Sequence, residues 1–311
     1  MQVRFYPHSF FALIILLIAS SSAHAQIVRV DSLSNWKKAF KAGLNMNQAS
    51  FSGNWKAGGV NSFGFNALLN YRADYKKGKN SWDNQIDLLY GMVNNSGQGY
   101  RKTVDRIFMD TRYGRQLDSS SWDFTAALNF QSQFAKGHSY AKNDTTGEEV
   151  ATLISDSFAP AFITAAIGFE YHPVEWFKVR ISPLAPRVTL VRNVDRFVTP
   201  DNLTPYGVHP GKSARFEWAA AQVLAEFNKD IARNVNLKWR YLMFANYETI
   251  QWKTIDHRLD LTLTAKVNQF INVSVGGILL YDYDQDTQAQ WSQVFSLGML
   301  YTIQNYEDKK K

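Results

Sequence analysis

The chain of 311 residues has no cysteine, 45% hydrophobic residues and a mean hydropathy of −0.30, which excludes disulfide scaffolds, thiolate metal sites, cysteine nucleophiles and intrinsic disorder. The mean hydropathy is too low for a bundle of membrane-spanning helices, each of which needs ~20 consecutive apolar residues. The formal net charge of +7 is spread along the chain rather than clustered, so nucleic acid is not expected as a partner.

Residues 1–25 have the pattern of a secretory signal peptide. Arg4 provides the positive charge, an apolar run extends from Phe10 to Ala19, and small residues flank His24 in Ala23-His24-Ala25. The alternative, a short membrane anchor, is disfavoured because the apolar run is too short to span a bilayer. We expect cleavage near Ala25-Gln26 and, without a cysteine to acylate, no lipid anchor.

The rest of the chain alternates apolar and polar side chains. Every second residue from Phe63 to Tyr75 is aromatic, Leu or Ala, whereas the positions between them include Arg72 and Asp74. A period of two is typical of a strand with one apolar face and one polar face. Twelve such strands are predicted, at residues 37–51, 63–75, 82–93, 102–114, 122–134, 154–171, 176–192, 214–228, 233–247, 254–267, 270–283 and 291–303.

The connections between these strands differ by side. The two long ones, residues 135–153 and 183–213, fall on one side, and short ones such as 172–175 and 268–269 fall on the other. Short periplasmic turns and long outer loops are typical of outer-membrane barrels. We therefore predict an all-β fold, a transmembrane antiparallel up-and-down β-barrel of about 12 strands. Its predicted parts are a periplasmic segment at 26–36, the barrel at 37–303 and a charged tail at 304–311.

A soluble β-sandwich or a lipocalin-like barrel is the alternative, because periodicity does not say which face lies inside. Two observations favour the membrane. Aromatic residues such as Trp82, Trp122 and Tyr171 fall at predicted strand ends, where amphipathic rings meet lipid headgroups. The polar face is also strongly charged, which suits a wet lumen.

Several motifs support this interpretation. The stretch from Asn45 to Ser62 resembles an outer-membrane family of the Bacteroidetes type that is catalogued only as a domain of unknown function. The motif residues are Asn45, Gln48, Trp55, Gly58, Gly59, Asn61 and Ser62. Further similar segments include residues 81–84, 101–106, 133–137, 181–185 and 244–247. The resemblance implies a β-barrel in the outer membrane and implies no activity, cofactor or catalytic residue.

Alternation also predicts the residues that line the lumen. They are Arg72, Lys178, Arg180, Lys238, Arg240, Asp256, Arg258 and Asp282. Asp256 and Asp282 are expected to be neighbours near the outer mouth, where close carboxylates raise each other's pKa unless a cation intervenes. The favoured interpretation is that Arg258 neutralises them within a network of lumen salt bridges.

Catalytic and metal sites are weakly indicated. A hydrolase needs a base beside an activated hydroxyl, and the candidates are His138, His172, His209 and His257, of which only His257 falls in a strand, on the apolar face. The series Asp282, Asp284 and Asp286 offers oxygen ligands for Ca²⁺ but lacks the glycine and terminal Glu of an EF-hand, so a solvated acidic loop is preferred. No catalytic residue, metal or cofactor is therefore assigned.

The outer loop of residues 183–215 is basic. It carries Arg187, Arg192, Arg196, Lys212 and Arg215. Such a surface can bind the phosphates of outer-membrane lipid and lipopolysaccharide; a generic solvated loop and a lumen constriction are the alternatives.

Twelve strands lie between filled eight-stranded barrels and open sixteen-stranded porins. The leading functional hypothesis is a narrow pore or facilitator for a small polar or charged solute. The second is a closed barrel that acts as a structural or assembly partner of another outer-membrane protein, and an outer-membrane hydrolase is the third.

Overall fold

A computed structural model describes residues 26–28, 34–50, 60–118, 120–143, 146–200, 202–268 and 271–306. Its strands are β1 (Gln26–Val28), β2 (Trp36–Ala49), β3 (Ser62–Lys77), β4 (Asn80–Asn95), β5 (Gly99–Gln116), β6 (Trp122–Ser132), β7 (Gly137–Lys142), β8 (Glu149–Ser155), β9 (Ala161–Val174), β10 (Phe177–Leu184), β11 (Arg187–Leu190), β12 (Ala214–Glu217), β13 (Ala220–Ala232), β14 (Val235–Asn246), β15 (Asp256–Lys266), β16 (Ile271–Asp282) and β17 (Asp286–Gln304). Short 3₁₀ turns occur at Val194–Phe197, Pro205–Gly207 and Trp252–Thr254. Within the described residues, no helix is long and apolar enough to span a membrane.

The strands close into an antiparallel barrel. The order around it is β2, β3, β4, β5, β6, β9, β10, β13, β14, β15, β16 and β17, and β17 pairs with β2 through Gly298↔Asn45 to Gln304↔Ala39. Two of these strands continue past a local irregularity. β11 continues β10 and β12 continues β13, because β11 pairs with β9 on one side and with β12 on the other. The prediction of a twelve-stranded up-and-down barrel is confirmed.

The two ends of the barrel carry different connections. At one end, called the turn end, strands are joined by residues 78–79, 117–121, 175–176, 233–234 and 267–270. At the other, called the loop end, the connections include residues 133–160, 191–213 and 247–255, although residues 96–98 and 283–285 form short turns there as well. The long connections thus lie on the side predicted to face outward.

Two predicted boundaries were wrong. The predicted strand 154–171 is interrupted, because β8 pairs with β7 in a hairpin of the loop end and the barrel strand β9 begins only at Ala161. The predicted loop at 183–213 overlapped the predicted strand at 176–192, and the loop is the shorter of the two in the structure, since β11 carries the barrel strand to Leu190. In both cases alternation continues through a segment that changes its pairing partner, so periodicity alone does not mark the break.

The two faces of the barrel wall are inverted relative to a soluble protein. The outward side chains are apolar and exposed, among them Met109, Phe124, Leu128, Ile167, Phe169, Ile181, Leu261, Leu279, Phe295 and Leu297. The inward side chains are polar and buried, among them Arg112, Asp123, Thr125, Asn129, Thr164, Glu170, Arg180, Ser182, Gln222 and Arg240. An exposed apolar belt around a polar interior is stable only in lipid, which excludes the soluble sandwich. A single-chain barrel with an even number of antiparallel strands is of the outer-membrane type.

Aromatic side chains surround the turn end of the barrel. Trp36 lies 5.2 Å from Tyr75 between ring centroids, and Trp122 lies 4.8 Å from Tyr171. Further round, the rings of Phe227 and Trp239 stack at 5.7 Å. Trp122 and Tyr171 were predicted at strand ends that meet the lipid headgroups, whereas Trp36 and Trp239 were not.

The orientation of the faces is testable at Leu128, which is 49% exposed near the middle of β6. Replacing Leu128 by Arg places a charge in the hydrocarbon and should destabilise the barrel by about 2–4 kcal/mol. Urea unfolding of the barrel folded in lipid vesicles measures the change, with Leu128→Ile as the control. An Arg variant as stable as the control would contradict a lipid-facing position.

Candidate functional site: the barrel interior

The interior of the barrel contains a ladder of ion pairs that runs along its wall. Arg112 of β5 contacts three carboxylates: Asp83 at 2.7 Å, Asp123 at 2.6 Å and Glu170 at 2.9 Å. Its side chain is only 3% exposed. A buried guanidinium is tolerated only when carboxylates compensate the loss of water, so these four residues depend on one another.

The strand register produces this ladder. Arg112 lies opposite Asp83, and Asp123 lies opposite Glu170, because each pair occupies matching inward positions on neighbouring strands. Glu170 is in turn opposite Arg180, whose Nε lies 3.4 Å from the Glu170 carboxylate. Two arginines and three carboxylates at these positions therefore connect five neighbouring strands of the wall, from β4 to β10.

The ladder continues on the next strands. Glu226 of β13 receives Lys178 at 3.0 Å and Arg240 at 2.7 Å. The register again places these residues opposite one another, as Lys178↔Glu226 and Glu226↔Arg240. Arg180 also reaches Asp110 of β5 at 3.2 Å, which lies three strands away around the barrel.

Two further contacts cross the lumen. Arg106 of β5 lies 3.2 Å from Asp260 of β15, and Arg240 of β14 lies 3.6 Å from Asp87 of β4. In each pair the strands are six places apart in a ring of twelve and belong to opposite walls. Side chains from facing walls therefore meet inside the barrel.

Phe108 fills the space between these contacts. It is 1% exposed, and its ring lies 4.0 Å from the Arg240 guanidinium and 5.1 Å from that of Arg106. Guanidinium groups over an aromatic face are attracted by its electron density. We call Asp87, Arg106, Phe108, Arg240 and Asp260 the cross-lumen layer. It joins both walls.

A second group lies at the loop end. The register His257↔Tyr281 places the inward Asp256 opposite Asp282, as predicted. The predicted role of Arg258 was wrong, because Arg258 binds Asp260 of its own strand at 3.0 Å. Asp256 is instead paired with Arg187 at 2.8 Å.

The cation that replaces Arg258 comes from the strand extension β11. The guanidinium of Arg187 lies 3.2 Å from the ring centroid of Phe244, which belongs to a small buried apolar cluster with Ala220, Leu224 and Leu242. The sequence predicted this segment both as part of a strand at 176–192 and as part of an outer loop at 183–215, and Arg187 was assigned to the basic loop rather than to the inward face.

Residues 191–200 and 202–213, here called the lid, lie against other loops at the mouth. The backbone N–H of Tyr206 donates to the Asp284 carbonyl at 3.1 Å, and its hydroxyl donates to the Ile154 carbonyl at 2.6 Å. One lid residue thus bridges two separate loop-end connections. Arg196 adds an ion pair to Asp156 at 2.8 Å.

The lid has its own apolar core. Val191, Val194, Phe197 and Val208 are buried together with Ala159 of the preceding connection. Burial of these side chains holds the lid against residues 133–160 by the hydrophobic effect. The lid is therefore a packed element.

Two ionisable side chains at the lid, Asp156 and Tyr206, have shifted pKa values. The Ser157 backbone N–H and the neighbouring Arg196 hold the pKa of Asp156 below its ordinary value. Burial, together with the nearby charge of Asp282, raises the pKa of Tyr206 to about 12. Both shifts favour the protonation states in which the lid contacts form.

The predicted lumen residues all occupy inward positions. Besides those described above, Arg72 donates to Gln85 at 2.9 Å, and Lys238 lies opposite Asn228 and Thr262. In the cross-lumen layer, Asp260 of β15 was not singled out, nor were Asp87, Arg106 and Phe108. Their alternation with outward residues in β4 and β5 was a signal for the inward face, but no sequence signal indicated a partner on the opposite wall.

The family-motif residue Asn45 lies where the barrel closes. It is buried, and its side-chain amide donates to Asn66 Oδ1 at 2.6 Å. Asn66 in turn donates to Ser296 Oγ at 3.3 Å, so β2, β3 and β17 are linked. A side chain at Gly298 would place its Cβ 1.9 Å from Asn45 Oδ1, so glycine is required beside it.

The other motif residues are placed as follows. Gln48 is exposed on β2, Asn61 accepts the Ser96 backbone N–H at 2.8 Å, and Ser62 begins β3. Trp55, Gly58 and Gly59 lie outside the described residues.

Two further similar segments contact each other. Asp105 accepts the backbone N–H groups of Phe134 at 2.8 Å and Ala135 at 2.9 Å. Lys102 donates to the Ala135 carbonyl at 2.8 Å and to Asp105 at 3.0 Å. These polar side chains anchor the start of the connection at 133–160, which gives them a structural role.

The histidines and acidic residues are placed in other contacts. His172 lies 3.0 Å from Asp123, and the outward-facing His257 lies 2.7 Å from the Tyr241 hydroxyl. Asp284 forms an ion pair with Arg215. Among the described residues, no group of three or more candidate ligands is arranged for a metal ion.

Comparison with known proteins adds a family match. Residues 46–138 match the model of a protein family of unknown function, DUF3078. No match to this sequence is found among curated proteins.

Several solved structures are similar in part. An outer membrane channel from Pseudomonas putida F1 has 9% identity and a TM-score of 0.38, with 88% of this chain and 97% of that chain covered. NanC porin has 7% identity and a TM-score of 0.36, with 85% and 97% covered. The translocator domain of the autotransporter NalP from Neisseria meningitidis has 9% identity and a TM-score of 0.32, with 94% and 95% covered. At these values the similarities carry no inference about function.

The ion-pair ladder predicts a large effect at Arg112. Arg112→Met removes the guanidinium that Asp83, Asp123 and Glu170 share and leaves Glu170 with Arg180 at 3.4 Å, which should cost about 3–5 kcal/mol. Lys79→Met is the matched control, because its 3.5 Å pair with Asp118 is exposed and should contribute ~0–1 kcal/mol. Urea unfolding in detergent, followed by tryptophan fluorescence, compares the two, and equal losses would contradict the ladder.

The lid predicts a pH dependence. Because the pKa of Tyr206 is raised from 10.0 to about 12, its neutral hydroxyl stabilises the lid fully below pH 10 and this contribution is lost as the pH rises towards 12. Tyrosinate absorbance should show a late transition in the wild type that is missing in Tyr206→Phe. Identical titration curves would show that Tyr206 is not buried in the lid.

Proposed function

We propose that this protein is a closed outer-membrane barrel that acts as a structural or assembly partner in an outer-membrane complex. It keeps its lumen shut at rest and has no enzymatic activity. The cross-lumen layer carries this proposal. Two ion pairs join opposite walls around a fully buried phenylalanine.

An open pore requires a continuous water-filled path. Porins achieve this with sixteen or more strands, whereas eight-stranded barrels are filled by side chains. In a twelve-stranded barrel, long side chains reach the opposite wall, as Arg106 and Arg240 do. Asp260 and Arg240 also have partners on their own wall, Arg258 and Glu226, but separating Arg106 from Asp260 would remove the ion pair of a buried guanidinium, which costs several kcal/mol. The layer therefore favours a closed state.

The loop end supplies a surface for a partner. In the connection 247–255, Trp252 is 92% exposed and Ile250 is 53% exposed. Exposed aromatic and aliphatic side chains at the end of a barrel are typical of protein contacts. This connection is held to the end of β16, because the Tyr281 hydroxyl donates to the Lys253 carbonyl at 2.8 Å and the Lys253 ammonium lies 5.4 Å from the Tyr283 ring centroid.

A gated facilitator for a small polar or charged solute is the second candidate. One observation favours it. A Cβ added at the inward-facing Gly276 would have Val294 O, 3.9 Å away, as its nearest neighbour, so the wall at β16 leaves space. In this second case the cross-lumen layer is the gate, and its charges select the ion.

Conductance in a planar bilayer tests the closed state. The folded wild type should be silent, because the layer blocks the lumen. Arg106→Ala combined with Arg240→Ala should produce stable conductance steps, since both bridges and the guanidinium contacts to Phe108 are removed. The control is Lys77→Ala with Lys229→Ala, which removes the same charge at the turn end.

The outcomes separate the two candidates. A wild-type barrel that conducts without mutation would contradict the closed-barrel proposal and support the facilitator. Partner binding is tested by purification in mild detergent, where a partner should accompany the wild type and be lost with Trp252→Ser. Trp291→Ser, on the lipid-facing side of β17, is the matched control. A wild type that purifies alone would contradict the partner role.

A further inference from the structure

The loop end contains a basic pocket that the closed barrel does not use. It has a volume of about 480 Å³ and lies between the lid and β12. Gly207, His209, Lys212, Arg215 and Phe216 are among the residues that line it. No acidic side chain is among the lining residues, so the pocket suits an anion.

Gly207 allows the arginine to form the floor. A side chain at this position would place its Cβ 1.8 Å from the Arg215 guanidinium, and the φ of +70° also favours glycine. The guanidinium is fixed by Glu217 at 3.2 Å and by Asp284. It is therefore held rigidly at the base of the pocket.

The cations at the rim are available for a ligand. His209 and Lys212 are exposed; the Lys212 backbone N–H donates to the His209 carbonyl at 3.0 Å, but among the described residues neither side chain has a hydrogen-bond or ion-pair partner. The basic surface predicted for the outer loop is accordingly smaller than expected. Arg187 is committed to Asp256 inside the barrel, and Arg196 to Asp156.

The pocket adjoins the lipid-facing surface. Phe216 lines the pocket and points outward from β12, since its neighbours Arg215 and Glu217 face inward. Its ring stacks on that of Trp218 at 5.5 Å with an interplanar angle of 12°, and the two residues are 53% and 66% exposed. Aromatic side chains of this kind mark the membrane interface, so the pocket lies at the height of the outer-leaflet headgroups.

We propose that this pocket binds a phosphate group of an outer-leaflet glycolipid, whose acyl chains lie against Phe216 and Trp218. Lys212 and His209 contact the phosphate, and Arg215, whose charge is compensated by Glu217 and Asp284, forms part of the pocket wall. A free phosphate ion would use only the basic half of this surface. The continuous aromatic half selects the lipid.

Native mass spectrometry of the full chain, purified in detergent and mixed with bisphosphorylated lipid A, tests the site. The wild type should retain one lipid. Lys212→Ala should weaken retention about tenfold, because a charge-assisted bond to phosphate is lost. Lys253→Ala removes the same charge from another loop-end connection and should change nothing.

Two further arms distinguish the source of the phosphate. Trp218→Ser should weaken retention of lipid A, whereas Trp291→Ser, which is also exposed on the outward face, should not. Dephosphorylated lipid A should not be retained, and millimolar inorganic phosphate should not displace the lipid. Equal retention of the dephosphorylated lipid, displacement by inorganic phosphate, or an unaffected Lys212→Ala variant would each overturn the proposal. Heat-modifiable gel mobility confirms that each variant is folded.

Discussion

The constraint on which this structure depends is that charges inside a membrane barrel must be compensated inside the barrel. The outer face lies in lipid, which provides no water or counter-charge for these groups, and the lumen of a twelve-stranded barrel is narrow. Arg112 shows the consequence, because three carboxylates from three different strands converge on one guanidinium. The register of neighbouring strands places most of these partners opposite one another, so the charges become paired when the strands pair.

The same constraint explains why the lumen is bridged. A long arginine side chain that finds no carboxylate on an adjacent strand reaches across to the other wall, as Arg106 does to Asp260. Phe108 then fills the space that the guanidinium groups leave. A narrow barrel with a charged interior therefore tends to close itself, and a partner role follows more directly than transport. The lid and the loop-end surface are then the parts that other molecules meet.

Sequence alone predicted much of the fold. A period of two in segments such as 63–75 identifies both the strand and its inward face, because alternate side chains point in opposite directions. It also placed Asp256 and Asp282 side by side, since a short turn sets the register of two strands. The inward positions of Arg180 and Arg240 follow from the same rule.

The remaining contacts depend on how the barrel closes. Alternation gives the face of a residue but not the wall opposite it, so the pairing of Arg106 with Asp260 could not be derived. Arg258 was assigned to the wrong carboxylates because Arg187, their actual neighbour, belongs to a strand extension that follows an irregularity at Ala185-Pro186. The lid contacts of Tyr206 join segments that are far apart in sequence, and no local sequence pattern predicts them.

The most direct test of the central claim is a charge exchange across the lumen. Arg106→Asp alone places two carboxylates opposite each other and should open a conductance in a planar bilayer. Adding Asp260→Arg restores opposite charges on the two walls, and the account predicts that the double variant is silent again. A double variant that conducts as well as the single one would contradict a barrier made by this pair.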